Sequence, residues 1–111
     1  MSLRPPGSVP RRVVGSYRLT VRARDLLAQV FDYTETQFGG YQAEAYASGM
    51  IRTFELLADF PAVGQSAEEF RRGLRRFRFQ AHFIYYTVSS EMVEIRGVLH
   101  HARRIRPSLF D

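Results

Sequence analysis

Residues 74–101 constrain what this chain can fold into more than any other stretch. They read Leu-Arg-Arg-Phe-Arg-Phe, a Gln-Ala break, His-Phe-Ile-Tyr-Tyr-Thr-Val, a Ser-Ser-Glu break, then Met-Val-Glu-Ile-Arg-Gly-Val-Leu-His-His. Runs of β-branched and aromatic residues separated by breaks this short predict consecutive strands joined by tight hairpins. A parallel crossover needs a far longer connection, so the strands are expected to be antiparallel neighbours forming a meander. Alternation puts Phe77 and Phe79 on one face and Leu74, Arg76 and Arg78 on the other. In the next run His82, Ile84 and Tyr86 oppose Phe83, Tyr85 and Thr87. Arginine and aromatic side chains therefore interleave in the sheet.

The remainder of the chain supplies a partner for that sheet. Tyr17 to Leu19 alternates like a short strand able to pair at an edge of the meander. Thr20 can cap a helix carrying Ala23, Leu27, Val30, Phe31, Thr34 and Phe38 on one side, ended by Gly39 and Gly40. A second helix, from near Tyr41 to just before Phe60-Pro61, carries Ala43, Ala47, Met50, Ile51, Phe54, Leu57 and Ala58. So short a link makes the two an antiparallel helical hairpin, whose apolar stripe has only the sheet to bury against. The expected fold is α+β: an N-terminal strand and helical hairpin packed on an antiparallel sheet with a C-terminal three-stranded meander. That arrangement predicts a single core and leaves the opposite, arginine-bearing sheet face in water. Phe60-Pro61-Ala62-Val63-Gly64 reads as a turn with Gly64 left-handed, and 68–72 as an exposed loop.

At 111 residues and 45% hydrophobic content the chain suits one domain with one modest core. No apolar run reaches membrane-spanning length and no secretory signal is evident, so a cytoplasmic location is the expectation. Cysteine is absent, which excludes a disulfide framework and thiolate metal sites. All 16 basic residues are arginines, a choice suited to bidentate contacts with carboxylate or phosphate and equally well explained by GC-rich coding. Their placement is uneven: residues 17–69 hold four arginines against eight acids, residues 70–111 nine against three. The strand half is basic and predicts an acidic partner, a nucleic acid or an acidic protein segment. Residues 1–16, rich in Pro and Gly with three arginines, read as a flexible basic extension.

The residues themselves carry a family resemblance. Arg22-Ala23-Arg24, Leu27, Val30-Phe31-Asp32-Tyr33, Leu57-Ala58-Asp59-Phe60-Pro61-Ala62-Val63-Gly64, Gly73-Leu74-Arg75, Phe83-Ile84-Tyr85-Tyr86, Val93-Glu94-Ile95 and Val98-Leu99-His100 occur in this order. Together they closely resemble the ParE branch of the RelE/ParE toxin superfamily. The resemblance covers residues 17–105 as a toxin domain, with 106–111 left as a C-terminal tail. It implies the toxin of a bacterial type II toxin–antitoxin pair, non-enzymatic blocking of DNA gyrase, and neutralisation by an antitoxin that wraps an extended segment around it. The RelE branch instead cuts mRNA on the ribosome, and that is the alternative reading. A chain that has lost toxicity and survives as an antitoxin-binding partner is a third. Relatives commonly have arginine where this chain has Gly97; here Arg96 precedes it, and one step along a strand turns a side chain to the other face. His101 and Arg103-Arg104 also stand where relatives often have small or acidic residues.

Under the binding reading there are no catalytic residues, no cofactor and no metal. The residues expected to meet partners are Arg75, Arg76, Arg78, Tyr85, Arg96, His100, Arg103 and Arg104. The antitoxin is expected to bring an acidic, amphipathic C-terminal segment to Arg75, Arg76, Arg78 and Arg96, with apolar anchors supplying most of the affinity. Under the nuclease reading, His82 and His100 would move protons while Arg78 and Arg96 stabilised the phosphorane, with ribosome and mRNA as partners. No spacing demands that chemistry; Tyr85 and Tyr86 suit packing better than chemistry in such a strand, and Phe77 and Phe79, at alternating strand positions, suit the core better than stacking on a base.

Overall fold

A computed structural model describes residues 16–90 and 92–110. All but the last residue of the expected basic extension lies outside them. Strand β1 (Tyr17–Leu19) leads to helices α1 (Val21–Phe38) and α2 (Gly40–Asp59), then strands β2 (Gln65–Ser66), β3 (Arg75–Phe79), β4 (His82–Val88) and β5 (Val93–His100). The five strands lie in the order β1-β5-β4-β3-β2. The meander is antiparallel throughout, whereas β1 runs parallel to β5, with Tyr17 beside Val93 and Leu19 beside Ile95. The sheet is therefore mixed, because the helical hairpin returns the chain to the far side of the last strand.

Local chemistry sets the helix ends. The Thr20 hydroxyl accepts the Ala23 N–H at 3.1 Å, satisfying one of the free donors of the first turn. Gly39 alone links the helices at φ 92°, a conformation that disfavours any side chain. Its N–H closes α1 on Glu35, and its carbonyl opens α2 by accepting from Ala43. Ala23, Met50, Phe54 and Leu57 then pack on Ile84, Tyr86, Val93, Ile95 and Val98. Phe38 and Ile51, expected inside, are exposed, while Leu26 is buried.

The opposite sheet face is not left in water. Leu74, Tyr85 and Leu99 form a second apolar cluster with Leu26, Ala67 and Phe110, flanked by Phe70, Phe83, Ile105 and Leu109. The chain after β5 folds back under the sheet and ends in a 3-10 turn over Pro107–Phe110. Phe110 is 1% exposed, its ring 4.7 Å from that of Tyr85. This corrects the single-core expectation: alternation reported both faces of β4 correctly, but the cover for the second face comes from segments with no periodicity of their own.

Two smaller corrections share a cause in close packing. Gly64 is extended at φ −74° and not left-handed. Its lack of a side chain matters because a Cβ there would fall 2.8 Å from the Arg76 carbonyl and collide with the Tyr86 hydroxyl. That hydroxyl accepts the Gly64 N–H at 3.0 Å and donates to Pro61 O at 2.7 Å, pinning the turn before β2. In β5 the register shifts opposite Tyr85 and Tyr86, so Tyr85 faces Gly97 while Tyr86 faces Ile95. Arg96 is the extra residue of a bulge, which frees it from strict alternation.

Removing the Phe110 ring deletes the centre of the second cluster. Phe110→Ala is expected to cost about 3 kcal/mol in urea unfolding. A loss below about 0.5 kcal/mol, within the range of surface substitutions, would show that the C-terminal turn is not part of the core.

Candidate partner-binding surface

The sheet arginines divide by what their guanidinium groups touch. Arg75 turns to the turn before β2, donating to Ala62 O at 2.9 Å and also to Gly64 O. Arg96 donates to Thr87 Oγ1 at 2.9 Å, to Glu94 at 2.7 Å and to Phe110 O at 3.3 Å. The bulge keeps Arg96 on the same face as Gly97, so the one-residue displacement does not send it to the helices. Gly97 itself faces the Phe110 ring, which would lie 3.3 Å from a Cβ. Arg71 also donates to Phe110 O, at 2.7 Å. Arg75 and Arg96 are therefore committed to main-chain carbonyls inside the fold, and Arg96 shares Glu94 with exposed Arg18.

Arg76 and Arg78 are placed differently. Both lie over the Phe83 ring, with guanidinium carbons 4.3 and 5.4 Å from its centroid. Stacking of this kind holds a cation in place while leaving its N–H fork free. Arg78 is exposed and bonds the Gln80 carbonyl through Nε, whereas the Nε of half-buried Arg76 is buried without an acceptor. Tyr85, expected to meet a partner, is 1% exposed beneath Phe110 and presents nothing to solvent. Arg103 and Arg104 are exposed in the tail that leaves β5.

The histidines gather at the other end of β4 and β5. His82 and His100 face each other across the strands with rings 5.6 Å apart, and His100 stacks on His101 at 4.5 Å. From α2, the Tyr46 hydroxyl accepts the Ala81 N–H at 3.2 Å and sits 2.8 Å from His82 Nδ1. The one hydroxyl proton has two acceptors in reach, Phe79 O at 3.5 Å and His82 Nδ1 at 2.8 Å; the shorter contact assigns it to the nitrogen and makes His82 the neutral tautomer protonated on Nε2. Burial, reinforced by the charges of His100 and His101, lowers His82 from 6.5 to about 4. Burial also raises Tyr46 above 10, opposed by the Ala81 hydrogen bond and by the charge of Arg78. A groove of about 390 Å³ between α1 and β5 is lined by Tyr33, His82, His100 and Arg103 among others. Among the described residues no three His, Asp or Glu side chains gather closely enough to hold a metal ion, and no helix is long and apolar enough to cross a membrane.

Of the residues a nuclease would use, His82, His100 and Arg78 approach one end of the sheet, while Arg96 stays in its carbonyl clamp beneath the other. Tyr46, Phe83, Glu94 and Phe110 were missing from the sequence-based set, although each decides what an arginine or histidine can do. Phe83 and Glu94 lie in blocks that carry the family resemblance, and the Leu109-Phe110 pair interrupts a basic tail; Tyr46 has no such signal.

Because His82 resists protonation when folded, the sign of its pH effect is fixed. Above about pH 6.5 it is neutral in both states and contributes no pH dependence. As pH falls from there to about 4 the unfolded chain takes the proton first, and stability declines. Histidine NMR should put the His82 midpoint near 4, and Tyr46→Phe should raise it by removing the donor to Nδ1. An unchanged midpoint would contradict the assigned tautomer.

Comparison with known proteins bears on the family and the fold. The family model described as the ParE toxin of type II toxin–antitoxin system, parDE, matches residues 17–105. Toxin ParE1 of Caulobacter vibrioides is 38% identical over 93 residues, which span 84% of this chain and 96% of that protein. Toxin ParE1 of Mycobacterium tuberculosis is 29% identical over 85 residues, spanning 76% and 87%. A solved chain of the chromosomal ParDE toxin–antitoxin system from P. aeruginosa shares the fold with TM-score 0.68 at 14% identity, covering 79% of this chain and 97% of that one. The resemblance drawn from the sequence thus holds over the same residues, and the chain belongs to the ParE toxin family of type II toxin–antitoxin systems.

Proposed function

We propose that this ParE-family toxin acts in the cytoplasm by binding, that its target is DNA gyrase, and that a cognate antitoxin holds it inactive. Family membership implies the antitoxin partner. The observation that carries the non-enzymatic reading is the state of two of the four side chains a nuclease would need. Arg96 is committed to Phe110 O, Thr87 and Glu94, and His82 is kept neutral by burial and by the charges of His100 and His101, with a pKa of about 4, far from the optimum for a general base at neutral pH. Among the sheet arginines, Arg76 and Arg78 remain for partners; His100, Arg103 and Arg104 extend the basic surface around the end of β5.

Binding by such a surface stabilises one state of a macromolecule without chemistry of its own. A gyrase-targeting toxin is expected to trap a cleaved DNA intermediate, and the antitoxin competes by covering the toxin. In a supercoiling assay the purified chain should accumulate gyrase–DNA cleavage complexes, reversed by adding antitoxin first. Codon-specific mRNA cuts in a translation extract, with gyrase unaffected, would replace this reading with the ribosomal one.

A further inference from the structure

We propose that the groove between α1 and the ends of β4 and β5 is a nucleotide site, in which His82, His100 and Arg103 hold the phosphate and Tyr33 stacks on the base. His82 and His100 pair across the strands in the same row order as Ile84 and Val98, on the side of the sheet that the helices cover. β1 pairs with β5 only as far as Ile95, so no strand among the described residues lies beside His100 on that edge.

Two hydrogen bonds decide what the rings can hold. Ala102 N–H donates to His100 Nδ1 at 3.1 Å, and the Tyr46 hydroxyl donates to His82 Nδ1 at 2.8 Å. Each neutral ring therefore carries its proton on Nε2. A coordinating nitrogen needs a free lone pair, so in this arrangement both rings are donors to an acceptor and not ligands to a metal ion. Their centroids lie 5.6 Å apart, close enough for N–H···O bonds of about 2.9 Å to reach one small oxyanion. Arg103 lines the same groove and forms no ion pair among the described residues, which leaves its planar fork for phosphate. Arg78 adds its charge at this end, where it acts on Tyr46 and His101. No carboxylate lines the groove or the hollow beside it, so charge selects an anion.

The walls select what carries the phosphate. The groove of about 390 Å³ and the adjoining hollow of about 450 Å³ share Tyr33, His82 and His100, and both suit a small organic ligand. Bare phosphate would leave Leu26, Val30 and Tyr33 uncovered. Tyr33 is 64% exposed, an aromatic surface beside the donors on which a base can stack. Gln29 in the groove and Gln42 in the hollow offer amides to the edge of such a base. A phosphate joined to a flat ring that forms hydrogen bonds is a nucleotide. Its binding is independent of gyrase.

Adenosine 5′-monophosphate, adenosine and inorganic phosphate are the probes, titrated into the 15N-labelled full chain. Adenosine 5′-monophosphate is expected to bind about tenfold tighter than either fragment. It should shift the Nε2 resonances of His82 and His100 while each Nδ1 stays unprotonated. Arg103→Gln and His100→Phe, both at exposed positions, should each weaken it about tenfold. Tyr33→Leu should erase its advantage over ribose 5-phosphate and leave the phosphate contribution in place. A 5′-phosphorylated single-stranded tetranucleotide and its 5′-hydroxyl counterpart distinguish the two sources of this chemistry. Tighter binding of the phosphorylated strand than of the mononucleotide supports the site and names a strand end; weaker binding supports it and names a free nucleotide. Equal binding of adenosine 5′-monophosphate and adenosine, or no shift at millimolar concentration, would overturn the proposal. So would indifference to Arg103→Gln and His100→Phe combined, or Zn2+ shifting both histidines where the nucleotide does not.

Discussion

Burial of β4 on both faces is the constraint from which the rest of the molecule follows. Ile84 and Tyr86 pack up against the helices while Tyr85 packs down on Phe110. A sheet built on such a strand cannot keep one face wet, and among the described residues no second helical layer covers it. The loop before β3 and the returning C-terminal segment serve instead, contributing Ala67, Phe70, Leu109 and Phe110. On the upper side the Tyr86 hydroxyl reaches past the core to tie down the 61–64 turn, which positions the short β2. Core packing thus determines where the sheet edge ends.

The same constraint assigns the arginines. A guanidinium near a buried strand must replace its lost water with acceptors, and main-chain carbonyls at irregular segments are the acceptors within reach. Arg75 takes those of the turn before β2, and Arg96 and Arg71 take that of Phe110. These bonds compensate carbonyls that no strand or helix satisfies, so they connect the irregular covers to the sheet. Arg76 and Arg78, on the part of the face the C-terminal segment does not reach, rest on Phe83 and keep their charge available. Net charge located the basic half of the chain; carbonyl placement decided which cations within it face outward.

Much of the fold could be read from residue order because its signals are local. The meander, the Thr20 cap, the Gly39 link and the break before Pro61 each depend on neighbours within a few residues, and each is found in the structure. What could not be read depends on contacts between distant segments. Phe110 meets Tyr85 and Gly97, Gly64 meets Tyr86, and β2 is two residues long, with no pattern to mark any of them. A warning was nonetheless present: β4 is apolar on both faces, and that excess of aromatic surface required cover from somewhere. The surface residues fared unevenly for the same reason. Arg76 and Arg78 could be placed by alternation alone, while the bulge at Arg96 and the burial of Tyr85 depended on the returning segment.

The central claim is that, of the four arginines on β3 and β5, Arg75 and Arg96 hold the fold together while Arg76 and Arg78 are free to meet a partner. Urea unfolding of the single variants Arg75→Gln, Arg96→Gln, Arg76→Gln and Arg78→Gln tests it most directly. Arg75→Gln and Arg96→Gln are expected to lose about 1.5–3 kcal/mol, the range for hydrogen bonds to charged groups. Arg76→Gln and Arg78→Gln should lose less than about 1 kcal/mol, the scale of an exposed cation–ring contact. Equal losses at all four positions, or larger losses at Arg76 and Arg78, would contradict the account.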